Sequence, residues 1–234
     1  FYTTDNARRL DAYVALIHTR PQPMRSLLLG PLLSAASVHA NTSGVFKGFY
    51  KDRGTGIGRF GGTAADALGR ITRQIVLTPP VLSAHQAERQ ILQADAADLP
   101  DLIGPVDVAY LDPPYNQHPY GSNYFMLNLI AENREPAQMS RVSGIPRDWN
   151  RSGYNVRSTA GPLLARLIDD LDTKFVLISY NDEGYISPEQ MREILADVGP
   201  VTEITQRYNT FRGSRNLGGR NTHVTEHLYL VEKT

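Results

Sequence analysis

The sequence predicts an α/β fold with a mostly parallel sheet and an antiparallel last strand. A β-rich apolar run at 106–111 stops at an acid and two prolines, as a strand of a buried sheet does. After residue 159 the patterns follow the order helix, strand, helix, strand, long loop, strand. This order is typical of a parallel sheet that ends in an antiparallel strand. The length of 234 residues fits a single domain, 1–234.

The N-terminal part of the sequence predicts two helices, followed by a segment of different composition. Apolar residues at helical spacing predict a first helix with Thr4 or Asp5 as its cap. A second helix over 22–37 is broken or kinked near Gly30-Pro31. Residues 41–62 then become polar, aromatic and glycine-rich with basic residues among them, inside a longer segment at 38–75. Interleaved basic and aromatic side chains are those that contact DNA, so we expect a DNA-contacting insertion there.

A rigid corner follows the run at 106–111, which we expect to be a strand buried on both faces. Proline has no N–H group and a fixed φ, so the strand ends before Pro113-Pro114. Asp112 and Tyr115 therefore emerge at the carboxyl end of a strand, where open α/β sheets bind their ligands. The alternative is a plain strand stop followed by a turn.

This corner suits chemistry at the exocyclic amine of a nucleobase. Such an amine is a poor nucleophile because its lone pair is delocalised into the ring. Asp112 and the Pro113 carbonyl can accept hydrogen bonds from the amine, and this favours the tetrahedral nitrogen that attacks a methyl donor. The Tyr115 ring can stack on a base that has left the duplex.

The last third of the chain has the most regular pattern. It predicts a helix at 159–171 with Thr159 as its cap, and then a buried strand at 175–180. A capping box at 187–190 opens the next helix. Two strands, 201–208 and 223–231, complete the sheet.

The corner resembles a known enzyme motif. Asp112-Pro113-Pro114-Tyr115 is similar to the DPPY motif of the amino-methyltransferases that act on adenine in DNA with S-adenosylmethionine. The segments 38–44, 120–124 and 177–181 resemble other parts of one bacterial and phage branch of these enzymes. The resemblance implies a Rossmann-like methyltransferase sheet with DNA-binding insertions. It also implies that Asp112, Pro113, Pro114 and Tyr115 are catalytic, and that the cofactor is S-adenosylmethionine without a metal.

Two carboxylates are candidates for contact with the cofactor. The resemblance implies this role for Asp112 and for Asp95, which ends a short predicted strand at 91–95. The residues themselves leave a second interpretation of Asp95 open, because an acid at this position also caps a helix predicted at 96–102.

One expected feature of the family is not found in the sequence. A methyltransferase domain should begin with a strand and a glycine-rich turn that holds the methionine part of the cofactor. The chain instead opens with a predicted helix. We therefore expect it to be the downstream part of the enzyme, with a separate N-terminal segment or subunit as a possible partner.

The distribution of charge points to double-stranded DNA as the partner. The formal net charge is zero, but the arginines form clusters. The residues expected to bind DNA are basic, aromatic or amide-bearing, namely Lys47, Lys51, Arg53, Tyr120, Asn123, Tyr124, Arg212, Arg215, Asn216 and Arg220. The loop 209–222 is expected to read base edges, and 133–158 to form a loop over the active site.

The sequence therefore predicts a site-specific methyltransferase that flips an adenine out of duplex DNA. The alternatives are a catalytically incomplete fragment that binds DNA or a partner, and an amine methyltransferase that acts on cytosine or RNA. A cognate restriction endonuclease is a further possible partner. The absence of cysteine excludes disulfides and thiol chemistry and suits a bacterial or phage cytoplasmic enzyme. No apolar run is long enough to span a membrane, and we expect no membrane partner.

Overall fold

A computed structural model describes residues 1–42, 44–52, 54–61, 67–141, 144–209 and 223–233 of the chain. The chain divides into two compact units. Unit 1 contains Phe1–Glu88 and Tyr120–Trp149, and unit 2 contains Arg89–Pro119 and Asn150–Thr234. Within the described ranges, no helix is long and apolar enough to cross a membrane.

The elements are named here in chain order. The helices are α1 Thr4–His18, α2 Met24–Val38, α3 Leu68–Thr72, α4 Leu99–Leu102, α5 Tyr120–Asn123, α6 Phe125–Glu132, α7 Arg157–Asp170 and α8 Pro188–Ala196. The strands are β1 Val106–Leu111, β2 Thr173–Asn181, β3 Val201–Asn209 and β4 His223–Glu232. Two short 3-10 turns, Ala96–Asp98 and Gly153–Asn155, precede α4 and α7.

Unit 1 is helical and has two apolar clusters. The first forms where α1 and α2 pack together around residues such as Val14, Leu32 and Ile75. The second contains Phe46 and Phe125, against which Phe1 packs with ring centroids 5.4 and 5.9 Å away. The first cluster buries Leu10, Val14 and Ile17, the apolar face that helical periodicity predicts for α1.

The N-terminal cap of α1 is not the expected one. The hydroxyl of Thr3, rather than a side-chain oxygen of Thr4 or Asp5, accepts a hydrogen bond from the Asn6 backbone N–H at 3.2 Å. Helix α2 contains Pro31 in its interior, at the position where the sequence predicts a break or kink.

Unit 2 contains a four-stranded sheet in the order β1-β2-β4-β3. β1 runs parallel to β2, and β4 runs antiparallel to both β2 and β3. The predicted antiparallel last strand is therefore confirmed. One face of the sheet packs against α7 and α8 around Val176, Ile178, Tyr229 and Val231.

Helix α8 begins as the sequence predicts, whereas α7 does not. The Ser187 hydroxyl accepts from the Gln190 N–H, and the Gln190 side chain accepts from the Ser187 N–H, which completes the capping box. α7 begins at Arg157, and Thr159 lies inside it. Thr159 donates its hydroxyl to the Gly153 carbonyl instead of capping the helix.

The prediction that β1 is buried on both faces is wrong. Val108 is 52% exposed and Tyr110 is 61% exposed. On the same face of the sheet, Ile204 of β3 is 61% exposed and Leu230 of β4 is 37% exposed. The apolar run predicted the strand correctly, but whether a second layer covers it depends on distant parts of the polypeptide.

The short strand predicted at 91–95 is absent. These residues have no regular structure, and Ile91 is 94% exposed. A strand needs a hydrogen-bonded partner, and β1, the edge strand, pairs only with β2 within the described part of the sheet. The run at 91–95 does not pair with the open edge of β1, so it forms no strand.

Candidate active site

The corner after β1 has the structure that its prolines dictate. β1 ends at Leu111, and the Asp112 side chain is exposed just beyond it. Pro113 to Tyr115 continue without regular structure and are half-buried. Because Leu111 of β1 pairs with Ile178 of the parallel strand β2, both strands end at the same edge of the sheet.

The Tyr115 ring lies against a buried tyrosine. Its centroid is 6.1 Å from that of Tyr180, and the rings are nearly perpendicular at 78°. Tyr180 is 4% exposed, and its hydroxyl accepts a hydrogen bond from the Ile186 N–H at 3.3 Å. Burial raises the pKa of the Tyr180 phenol, so this ring stays neutral. An edge-to-face pair of this kind limits the rotation of Tyr115.

Residues 115–117 are held by hydrogen bonds from other segments of unit 2. The Tyr115 carbonyl accepts from the Tyr185 N–H at 2.8 Å. The Asn116 carbonyl accepts from the Asn155 side-chain amide at 2.8 Å. The Tyr185 hydroxyl donates to the Gln117 side-chain oxygen at 3.0 Å. The corner therefore continues into a segment of fixed shape.

Asp95 acts as a helix cap, which is one of the two roles that the sequence allows. Its side-chain oxygen Oδ1 accepts from the Ala97 N–H at 3.0 Å, so Asp95 caps the 3-10 turn Ala96–Asp98. Its side chain is exposed. Burial, and secondarily the charge of Asp95, raise the pKa of Tyr154 to about 12. The cap orients the Asp95 carboxylate without burying it.

Three of the residues expected to bind DNA lie in one short segment of unit 1, 120–124. The Tyr120 and Tyr124 rings stack with centroids 6.0 Å apart and planes 18° from parallel. The Asn123 carbonyl accepts from the Phe46 N–H at 2.7 Å, and this bond ties α5 to the aromatic cluster. Tyr120 remains 52% exposed.

A turn in the predicted DNA-contacting segment carries Lys51. Lys51 forms an antiparallel bridge with Gly58, and the Asp52 N–H donates to the Ile57 carbonyl at 2.8 Å. Oδ1 of Asp52 accepts from the Thr55 N–H at 2.9 Å and from Gly54. We call residues 50–52 and 54–59 the basic turn.

Buried Asn41 anchors the basic turn. Its side-chain amide donates to the Arg59 carbonyl at 3.3 Å, and its oxygen accepts from the Gly61 N–H at 3.3 Å. The Lys51 ammonium lies 4.8 Å from the centre of the Phe49 ring. The other lysine of this region, Lys47, is half-buried, and this partial burial lowers its pKa.

Comparison with known proteins decides the family. Residues 78–194, half of the chain, match the model of the D12 class of N6 adenine-specific DNA methyltransferases. The chain belongs to this family. The match confirms the resemblance drawn from the DPPY motif, and the mixed sheet agrees with the Rossmann-like methyltransferase fold.

Relatives of this methyltransferase chain belong to type II systems. The type II methyltransferase M.NlaIII of Neisseria lactamica is 31% identical over 100% of the chain. M.CviAII of Paramecium bursaria Chlorella virus 1 is 26% identical over 99%, and M.FokI of Planomicrobium okeanokoites is 24% identical over 100%. The chain spans 67%, 65% and 35% of the lengths of these three relatives. No solved structure matches the chain.

Several expected site residues lie outside the described part of this methyltransferase. They are Arg53, Arg212, Arg215, Asn216 and Arg220. The loop 133–158 is described except for residues 142 and 143, and it is shared between unit 1, up to Trp149, and unit 2, from Asn150. Among the described residues there is no group of three or more His, Asp or Glu side chains that could hold a metal ion.

The two carboxylates of unit 2 fit the chemistry of the cofactor that the family implies. S-adenosylmethionine carries N–H and O–H donors and positive charge, and the exposed carboxylates of Asp95 and Asp112 are acceptors of both. Their exposure leaves their oxygens accessible to a ligand. Both therefore remain candidates to hold S-adenosylmethionine.

Sequence reasoning did not identify Asn155 and Tyr185 as site residues. Both are far in sequence from the segment they hold, since the residue numbers of Asn155 and Asn116 differ by 39 and those of Tyr185 and Gln117 by 68. One signal was present, because Tyr185 follows shortly after the carboxyl end of β2. That edge of the sheet is also where β1 delivers Asp112.

Proposed function

We propose that the complete enzyme methylates the exocyclic amine of an adenine that has flipped out of duplex DNA, at a short specific sequence. The observation that carries this proposal is the exposed Asp112 carboxylate at the end of β1, followed by the Pro-Pro corner and the wedged ring of Tyr115. Membership of the adenine-specific family supports adenine as the target.

The residues of the corner have separate tasks in this proposal. Asp112 and the Pro113 carbonyl accept hydrogen bonds from the two N–H groups of the target amine, and this draws the nitrogen lone pair out of the ring. Taking the adenine out of the duplex stack costs roughly a few kcal/mol. Stacking of the Tyr115 ring on the flipped base offsets this cost. Asp112 need not be a strong base, because the amine nitrogen loses its proton readily once it carries a methyl group.

S-adenosylmethionine, when bound, supplies an electrophilic methyl group. Asp95 and Asp112 would accept hydrogen bonds from its donor groups. No metal ion is needed for this chemistry, because the attacking nitrogen is activated by hydrogen bonding alone.

Unit 1 carries side chains suited to DNA. Lys47 and Lys51 would contact phosphates, and the basic turn presents Lys51 on a preformed scaffold. Tyr120, Asn123 and Tyr124 would contact the nucleic acid near the target. DNA contact is also proposed for the residues that lie outside the described part of the chain, namely Arg53, Arg212, Arg215, Asn216 and Arg220.

The exposed sheet face of unit 2 supports a partner for the cofactor half of the site. Val108, Tyr110, Ile204 and Leu230 present apolar side chains that a covering layer would remove from water. We propose that a further segment, in the same polypeptide or in a separate subunit, packs on this face and completes the cofactor site. The greater length of the relatives supports this assignment.

Replacing Asp112 tests the proposed chemistry. In the complete enzyme, Asp112→Ala should abolish methyl transfer to duplex DNA and leave the DNA dissociation constant within about twofold. The control Asp101→Ala removes another exposed carboxylate of unit 2 and should retain full activity. Methylation that persists in Asp112→Ala would exclude the assignment.

Analysis of the product decides between the possible targets. After methylation, digestion to nucleosides and mass spectrometry should show N6-methyladenine. N4-methylcytosine, or a product formed only in RNA, would replace the proposal with one of the alternatives from the sequence.

The second candidate function is a binding module that needs a partner for catalysis, and the exposed sheet face favours it for this chain. Calorimetry separates the two. Binding of S-adenosylmethionine by the chain alone at micromolar concentration would support the enzyme. Binding restored only by an added N-terminal segment would support the module. We also propose that the enzyme is located in a bacterial or phage cytoplasm. A cognate restriction endonuclease is a proposed partner.

A further inference from the structure

Each residue from Tyr115 to Gln117 accepts a hydrogen bond from one of two residues elsewhere in unit 2, Tyr185 and Asn155. Two of these bonds end on backbone carbonyls, at 2.8 Å each, and the third ends on the Gln117 side chain at 3.0 Å. Tyr185 provides two of the three donors, one from its backbone and one from its hydroxyl. The segment that leaves the catalytic corner is thus held at three consecutive positions.

The donors are themselves held in place. Asn155 ends the 3-10 turn Gly153–Asn155, and the neighbouring Tyr154 is 6% exposed and donates its hydroxyl to the Leu163 carbonyl. The Arg157 guanidinium lies 4.7 Å from the centre of the Tyr185 ring, on the face of the ring. Neither donor side chain can move far without breaking a contact of its own.

We infer that Tyr185 and Asn155 are positioning residues for the target-base corner. They touch no reacting atom. They fix residues 115–117, and through the peptide chain they fix the direction of the Tyr115 ring, the Pro113 carbonyl and the Asp112 carboxylate. This inference rests on the proposed function, because it assigns the purpose of the geometry to methyl transfer.

The inference predicts which kinetic constant changes. A corner that is held in advance lowers the barrier of the chemical step, since its groups need no reorganisation when the base arrives. Loss of a positioning contact therefore lowers kcat. The affinity for DNA, which depends mainly on phosphate contacts elsewhere, should not change.

Tyr185→Phe is the most selective variant. It keeps the ring below Arg157 and the backbone N–H that binds the Tyr115 carbonyl, and it removes only the hydroxyl that binds Gln117. We expect kcat of the complete enzyme to fall about fivefold, as for loss of one hydrogen bond. The KM for DNA should stay within about twofold.

A second pair of variants tests whether the contact itself is responsible. Gln117→Met removes the other partner of the same bond and should lower kcat by a similar factor. The double variant should be no worse than either single variant, because the bond can be lost only once. Independent effects that multiply would show that Tyr185 and Gln117 act separately.

Asn155→Asp should have the larger effect. It places a carboxylate oxygen against the Asn116 carbonyl, where an N–H donor stood, so two acceptors face each other. We expect kcat to fall at least about tenfold.

Tyr13→Phe makes the same chemical change as Tyr185→Phe in α1 of unit 1, and it should leave kcat and KM unchanged.

Hydrogen exchange provides a measurement that does not need activity. Amide protons of peptides covering 112–119 should exchange faster in Tyr185→Phe and in Asn155→Asp than in the wild type, with thermal midpoints nearly equal. Wild-type exchange together with wild-type kcat in both variants overturns the inference. If exchange rises in the variants while the wild-type enzyme methylates no adenine, the proposed function fails. In that case the conclusion that Tyr185 and Asn155 hold residues 115–117 is still supported.

Discussion

Gly184 lies against the ring of Tyr180 so closely that a side chain has no room there. A Cβ atom at Gly184 would overlap Cε1 of that ring and lie 2.8 Å from Cζ and 3.0 Å from the hydroxyl oxygen. The Tyr180 ring is buried and supports Tyr115. The turn after β2 and the corner at 112–115 therefore share one rigid ring.

Gly184→Ala should destabilise unit 2 and disturb the corner. Overpacking against a buried ring costs about 1 to 3 kcal/mol of unfolding free energy. Urea denaturation followed by circular dichroism measures the change. Gly161→Ala is the matched control in α7, where the added Cβ would meet Ile194 and Ile186 at 3.8 and 4.0 Å. The unfolding free energy of Gly161→Ala should rise by about 0.5 to 1 kcal/mol, because alanine is a better helix former than glycine. Equal effects of the two substitutions would contradict the packing argument.

Asn6 should be one of the most sensitive positions of unit 1. It is 2% exposed, donates to the Arg73 carbonyl at 2.9 Å and accepts from the Ile75 N–H at 2.9 Å. Asn6→Leu leaves the buried Ile75 N–H without its acceptor, which costs about 1 to 3 kcal/mol. The fluorescence of Trp149, the single tryptophan, reports unfolding of unit 1. Asn128→Ala on the exposed side of α6 should change stability by less than about 0.5 kcal/mol.

The buried His227 and the Arg192 side chain make Glu203 a source of acid sensitivity. Arg192 donates two hydrogen bonds to Glu203, at 2.8 and 3.2 Å, and His227 donates a third at 2.7 Å. The bonds from Arg192, more than those from His227, hold the pKa of Glu203 below its ordinary value of 4.5.

Glu203 should stabilise the folded state only when it is ionised. Its folded pKa lies below its unfolded pKa, so its contribution is complete above the unfolded value and is lost as the pH falls through the folded value. The difference in unfolding free energy between wild type and Glu203→Gln should therefore shrink as the pH is lowered from 6 toward 3, roughly the range of carboxyl titration. Glu193→Gln on α8 should show a difference that does not vary in this way. A constant difference for Glu203→Gln would refute the linkage.

Lys51 should contribute one phosphate contact. In Lys51→Ala the logarithm of the DNA association constant should depend less steeply on the logarithm of salt concentration, with a slope smaller by about one. Fluorescence anisotropy over a salt series measures the slope. Arg8→Ala removes an exposed positive charge from α1 and serves as the control, with an unchanged slope expected. The same slope in Lys51→Ala and the wild type would remove Lys51 from the DNA-contacting residues.

Local patterns predicted several elements well. The strand before the Pro-Pro corner, the capping box of α8 and the antiparallel last strand are all present. Each depends on neighbouring residues, namely the missing N–H of proline, a reciprocal bond across three positions, and runs of β-formers. The Asp95 cap is local as well, and the sequence proposed it as one of two roles.

The errors occur where a distant partner decides the outcome. The run at 91–95 has strand composition but pairs with no strand, and β1 has an uncovered face. Apolar composition measures the tendency of a segment to be buried, but it carries no information about which other segment buries it.

The amino-acid sequence alone determined the chemistry of the corner, because Asp112, two prolines and Tyr115 stand side by side and proline restricts their backbone. The tertiary structure alone decided what holds that corner, because Asn155, Tyr180 and Tyr185 meet it only after β1 and β2 align in parallel. The four-residue motif indicates the family's chemistry, and proline restricts its backbone locally. The orientation of its side chains depends on hydrogen bonds and ring contacts between residues far apart in the chain, and no local pattern encodes those pairings.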